Sequence, residues 1–104
     1  EPAVASGNAS GRNLAYLTDR VLINTGRPQR YGTQVQYEHA IGRAYPKELE
    51  DAAAVDHRRA AVGLEPLWEY MNDMSGLYYR MNTALLNARG IEAPYRYDNS
   101  FTAW

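Results

Sequence analysis

The chain has 104 residues, a formal net charge of −1 and no cysteine. That length makes one domain rather than two, and the missing thiols exclude disulfides, thiolate catalysis and zinc–thiolate sites. The near-neutral charge argues against nucleic acid or an acidic membrane as partner, and no apolar run approaches the roughly 18 residues of a membrane helix.

Glu1 to Ser10 is small and polar and reads as a flexible lead-in, without the basic and apolar regions of a secretion signal. A cytoplasmic location is the expectation. Ser10 is a candidate N-cap. Leu14, Leu17, Val21 and Leu22 recur at helical spacing and predict an amphipathic helix over 12–24. Gly26 stops it and Pro28 prevents a restart. From Thr33 the pattern alternates. Val35, Tyr37, His39 and Ile41 point one way, as in a half-buried strand. Gly42 is the expected turn, Arg43 to Tyr45 the return strand, and Pro46 marks an edge. A lone hairpin is marginal in water, so it must lie against a helix or join a partner sheet.

Asp51 is a candidate cap for a helix over 52–62, closed by Gly63. Leu64-Glu65-Pro66 then signals a helix start. Leu67, Tyr70, Met71, Met74, Leu77, Tyr78, Met81, Leu85 and Ala88 form one stripe, which predicts a long helix over 66–89. Unbroken, it spans about 36 Å; Gly76 is the expected weak point. The tail 91–104, with Pro94, Tyr95, Tyr97, Phe101 and Trp104, is expected to be irregular and to pack back on the body. The fold class is therefore α+β and mostly helical: three or four helices, one short hairpin, and the long C-terminal helix as spine. Residues 11–90 form the single domain.

Ten of the eleven cations are arginine, and nine tyrosines stand against one phenylalanine. Arginine grips carboxylate or phosphate with a planar fork, and tyrosine suits a wet pocket or an interface. Gly-rich phosphate loops, zincin helices, nucleophile elbows and calcium loops are missing. His39 and His57 with a nearby carboxylate form a conceivable metal pair, but they lie on different elements. Surface histidines are the commoner outcome, and neither a metal nor a cofactor is expected.

The polar loop Arg27-Pro28-Gln29-Arg30-Tyr31-Gly32-Thr33-Gln34 is the best site candidate. Arg20, Arg27, Gln29, Arg30, Thr33, Gln34 and Arg59 are the candidate ligand-binding residues for a polar or anionic small molecule. Asp19, Tyr31 and His39 are candidates for proton transfer if a reaction is catalysed. Alternatively, Arg27 or Arg30 pairs with Asp19, Asp51 or Asp56 and simply staples the loop. Arg59 shares a face with Val55 and Val62, so it needs a carboxylate, a ligand anion or a route for its head to water.

The blocks Leu14-Ala15-Tyr16-Leu17-Thr18-Asp19-Arg20-Val21, Gly26 to Gln34, and Val55 to Leu67 together resemble an uncharacterised domain family of bacterial, often actinobacterial, proteins. The resemblance covers about residues 12–70. It implies a bacterial cytosolic protein and delivers no reaction. Typical members carry a histidine-containing helical segment before the first block, where this chain has Glu1–Ser10, so a fragment or a shortened variant is expected. The run after Met71 extends beyond the usual ending.

Two functions stay open. One is a small domain binding or acting on a polar or anionic molecule through the 27–34 loop. The other is a protein-interaction module, an accessory subunit or immunity-type partner, anchored by the long stripe and the tyrosines. A stripe that long is hard to cover within so small a domain, so a homo-oligomer or a partner protein is expected.

Overall fold

A computed structural model describes residues 9–101 of the chain. Of the lead-in expected over Glu1–Ser10, residues 1–8 lie outside the described residues, as does the tail's Trp104, while residues 9 and 10 already belong to a helix. Helix α1 runs Ala9–Asn24. It begins before residue 12, so Ser10 lies within the helix instead of capping it. Its end follows the expected glycine logic. Gly26 takes a φ of 80°, and the Arg27 N–H reaches back to the Leu22 carbonyl at 2.8 Å.

The face that α1 buries is not the one its leucines suggest. Ala15 and Asp19 are buried at 1% and 0% exposure, whereas Leu14, Leu17 and Val21 stand 64%, 48% and 52% exposed. Periodicity locates a stripe but does not choose its neighbour. Here the side carrying Asp19 turns inward.

Strands β1 (Val35–Glu38) and β2 (Arg43–Pro46) pair antiparallel, with Val35 opposite Pro46 and Glu38 opposite Arg43. The expected strand to Ile41 ends at Glu38. The N–H groups of Ile41 and Gly42 both bond to the Glu38 carbonyl, at 3.2 and 2.8 Å, and close the turn there. His39 and Ile41 are consequently exposed.

The hairpin lies against a helix, as a two-stranded ribbon must. The outer edge of β2 is covered. The Ala44 N–H donates to Ser75 Oγ at 2.9 Å, and the Ala44 carbonyl accepts from the Tyr97 hydroxyl at 2.8 Å. An edge saturated this way offers no ladder at Ala44 to another chain.

The helix expected over 52–62 is a 3-10 turn, Ala52–Ala54, leading into α2, Val55–Ala61. Asp51 does not cap it: it sits in left-handed backbone, φ 45°, without a side-chain cap bond. The carboxylate that does cap is Asp56, whose Oδ1 accepts the Leu67 N–H at the start of the next helix, at 2.8 Å.

The long helix divides in two: α3, Leu67–Met81, and α4, Thr83–Ala88. The break is at Asn82, φ −130°, not at Gly76. Side chains hold the carbonyls freed there. Asn82 Nδ2 donates to the Tyr78 carbonyl at 2.9 Å and Thr83 Oγ1 to the Tyr79 carbonyl at 2.7 Å.

The core joins Ala44, Val55, Leu67, Tyr70 and Met71, flanked by Val35, Tyr37, Leu49, Met74, Tyr97 and Phe101. The tail is fixed to α3 by a reciprocal pair: Asn72 donates to the Tyr97 carbonyl at 2.9 Å and accepts its N–H at 2.6 Å. Farther along, the stripe is uncovered, with Leu77, Met81 and Leu85 exposed.

Candidate functional site

Asp19 organises the 27–34 loop. Its Oδ1 accepts the N–H groups of Arg30 and Tyr31 at 2.8 and 3.0 Å. Its Oδ2 accepts the N–H and hydroxyl of Thr33 at 2.9 and 2.8 Å. Successive amides wrapped around a carboxylate reproduce the anion nest that loops present to phosphate, but the anion here belongs to the chain itself.

Gln29 does comparable work across the loop's base. Nε2 donates to the carbonyls of Gln34 and Lys47, and Oε1 accepts the Gln34 N–H, each at 2.9 Å. Its own backbone pairs with the segment around Leu49. Gln29 is completely buried, so these bonds satisfy polar groups that water cannot reach.

From α2, two adjacent arginines grip the same loop. Arg58 Nε donates to the Arg30 carbonyl at 2.6 Å, Nη1 to the Asp51 carbonyl at 3.3 Å, and Nη2 to the Glu50 carbonyl. Arg59 Nη1 donates to the Tyr31 carbonyl and Nε to the Glu65 carbonyl, both at 2.6 Å. The Arg59 guanidinium lies 5.0 Å from the centre of the Tyr70 ring, while the Tyr70 hydroxyl donates to the Thr33 carbonyl at 2.8 Å.

Arg59 is buried to 0% exposure. Among the described residues its Nη2 has no hydrogen bond, and Glu65 Oε1 lies 3.8 Å away. Loss of solvation pulls its pKa below the ordinary arginine value, opposed by Glu65, Tyr70, Tyr16 and Asp56. The same burial, with the nearby Tyr16 hydroxyl, pushes the Tyr70 phenol well above the usual tyrosine range.

The expected site residues therefore fall into two groups. Asp19, Gln29, Thr33 and Arg59 come together beneath the loop and face its backbone. Gln34 joins them, its side chain donating to Thr33 Oγ1 at 3.1 Å. Arg30 is half-buried, paired with Glu50 at 3.0 Å and lying 5.9 Å from its neighbour Tyr31's ring centre. Arg20 and Arg27 point outward, and among the described residues no ion pair holds either.

His39 is apart from the loop. It sits in the hairpin turn with Nδ1 2.6 Å from the Tyr78 hydroxyl. His57 is exposed on α2. Among the described residues no three His, Asp or Glu side chains group closely enough to hold a metal. A hollow of about 250 Å³ lies elsewhere, bounded by Trp68, Glu69, Asn72, Asp73 and Arg96.

Sequence reasoning missed Arg58 as a clamp, Ser75 and Asn72 as connectors, and the outward turn of the α1 leucines. The Arg58-Arg59 doublet was the available signal for the first. Asp19 was the signal for the last, being the one acid from residue 9 to residue 37.

No curated protein and no solved structure matches the chain. A family model does. Its span, residues 3–81, extends past the three sequence blocks in both directions and ends with the last residue of α3. The chain belongs to DUF6624, a family of unknown function.

Proposed function

We propose that this chain is a protein-interaction module and that the outward face of α1 is its principal contact surface. The observation that carries this is the alignment of Leu14, Leu17 and Val21, all about half exposed or more, on a helix whose opposite side is locked to the loop through Asp19. Contiguous exposed aliphatic surface on a small domain is a mark of an interaction site. Leu77, Met81 and Leu85 offer a second apolar area. A bacterial cytosolic accessory or immunity-type protein, acting in a homo-oligomer or with another chain, fits this reading.

The test is site-specific photo-crosslinking from positions 14 and 17 of the full chain in its host. Adducts from these positions are expected, lost when Val21→Glu disrupts the same face, with no such adduct from a probe at Asp98. Equal labelling from Asp98 would defeat the proposal.

A second reading, a binding site for a polar or anionic small molecule, draws on the buried, incompletely bonded Arg59 Nη2 and on the outward Arg20 and Arg27. It predicts that some anion in a thermal-shift screen raises the melting point. It also predicts that Arg27→Ala or Tyr31→Phe abolishes that rise; if both leave it intact, the loop is a staple.

A further inference from the structure

On the footing that α1 is a contact surface, we infer that its partner is an acidic amphipathic helix, an apolar stripe bordered by glutamate or aspartate. The inference comes from the charge around Leu14, Leu17 and Val21. From residue 9 to residue 37 the chain carries Arg12, Arg20, Arg27 and Arg30 against a single acid, Asp19. That acid is buried, its two oxygens taken by the Arg30, Tyr31 and Thr33 donors. It offers nothing to an outside partner. Of the four cations, Arg30 is paired with Glu50. Arg12, Arg20 and Arg27 are exposed, and none of the ion pairs among the described residues includes them.

At about 100° per residue, Arg20 lies directly beside Leu17 and Val21, on the side also occupied by Asn13 and Asn24. Arg12, at the same pitch, falls on the far side of the helix from the strip, and Arg27 stands just past its C-terminal end. The surface is thus an apolar strip about 10 Å long, at roughly 1.5 Å per residue, with Arg20 alongside, Arg27 beyond one end and no exposed carboxylate on α1 itself. A helix laid along it places its own apolar residues at i, i+3 or i+4 and i+7. Acidic flanks then meet arginine, which grips carboxylates in two-point fashion, and basic flanks are repelled.

An anionic membrane is the weaker match. Such surfaces are held by clusters of about 4–8 cations, whereas the apolar strip has two nearby on a chain of net charge −1.

The experiment is selection from a displayed library of amphipathic helices, about four turns long, with charges randomised beside a constant apolar stripe, using the full chain as bait. Expected are binders enriched in Glu and Asp, displaced by Leu17→Glu, and weakened about tenfold or more by Arg20→Glu with Arg27→Glu. The weakening follows the coupling of close interfacial charge pairs. Binders displaced by Leu17→Glu but neutral or basic at their flanks would overturn the acidic partner and leave the interaction surface standing. Binders indifferent to Leu17→Glu, or none at all, would overturn both. Dimerisation abolished by Leu17→Glu would assign the face to a second copy, and sedimentation with phosphatidylserine vesicles but with no peptide would assign it to a membrane; either overturns the inference.

Discussion

Asp19 Oδ2 accepts both the amide N–H and the hydroxyl of Thr33, at 2.9 and 2.8 Å. With the Arg30 and Tyr31 amides on Oδ1, one buried carboxylate holds the start and the end of a tight loop. Asp19→Asn preserves the shape but turns an NH2 group toward donors. Hydrogen bonds to charged groups contribute about 1.5–3 kcal/mol, and stranding buried donors adds a desolvation cost. A loss of roughly 3 kcal/mol or more in urea unfolding is expected. A loss below about 1 kcal/mol, no more than an average substitution, would remove Asp19 as the loop's organiser.

Gly32 sits inside that loop at φ 72°, and a Cβ there would lie 2.7 Å from Leu67 Cδ1. Gly26 has a similar φ, 80°, with open space around it. Alanine at either position carries the cost of left-handed backbone, about 1–2 kcal/mol. Gly32→Ala adds overpacking of about 1–3 kcal/mol. The two variants compared by thermal or urea unfolding should therefore differ by at least about 1 kcal/mol. Equal losses would show that Leu67 yields without cost.

Ser75 is fully buried on α3 and accepts the Ala44 N–H. Ser75→Ala leaves that donor without its partner. The expected loss is about 1–3 kcal/mol, with faster amide exchange at Ala44. Unchanged exchange would mean another acceptor takes over.

Burial raises the phenol pKa of Tyr37, Tyr70 and Tyr97, that of Tyr97 up to about 12 despite the opposing Arg43. The folded chain thus favours the neutral phenols. Their contribution is present in full below the ordinary tyrosine value of 10.0 and is lost as pH rises from there toward 12. The urea midpoint should be level approaching pH 10 and fall above it. Tyr97→Phe should make the fall shallower. A midpoint that is flat through this window would show that these hydroxyls ionise as freely folded as unfolded.

Leu17→Glu should change stability by no more than about 0.5 kcal/mol, as for ordinary surface substitutions. Met71→Ala, at 0% exposure, should cost about 2–5 kcal/mol. A large loss for Leu17→Glu in the isolated chain would mean that the α1 stripe is already covered.

Much of the fold was legible in the residues. Alternation from Val35 to Tyr37 announced a strand, Gly26 closed α1, and the Leu67–Met74 stripe announced the central helix, because each signal is local. Boundaries were less legible. The break at Asn82 depends on side chains that recapture the carbonyls of Tyr78 and Tyr79, and helical spacing continues through it unchanged. Of the candidate site, the sequence marked the 27–34 loop and Arg59 as belonging together, since both are rich in groups that need partners.

Which way those groups face was decided only by the tertiary structure. A carboxylate and a guanidinium carry the same spacing whether they meet a ligand or the backbone of their own chain. Here Asp19 found the amides of Arg30, Tyr31 and Thr33, and Arg59 the carbonyls of Tyr31 and Glu65. A buried charge must be satisfied from every side, whereas an exposed leucine only forgoes a favourable contact. The α1 face carrying Ala15 and Asp19 therefore turned inward, and Leu14 and Leu17 were left in solvent.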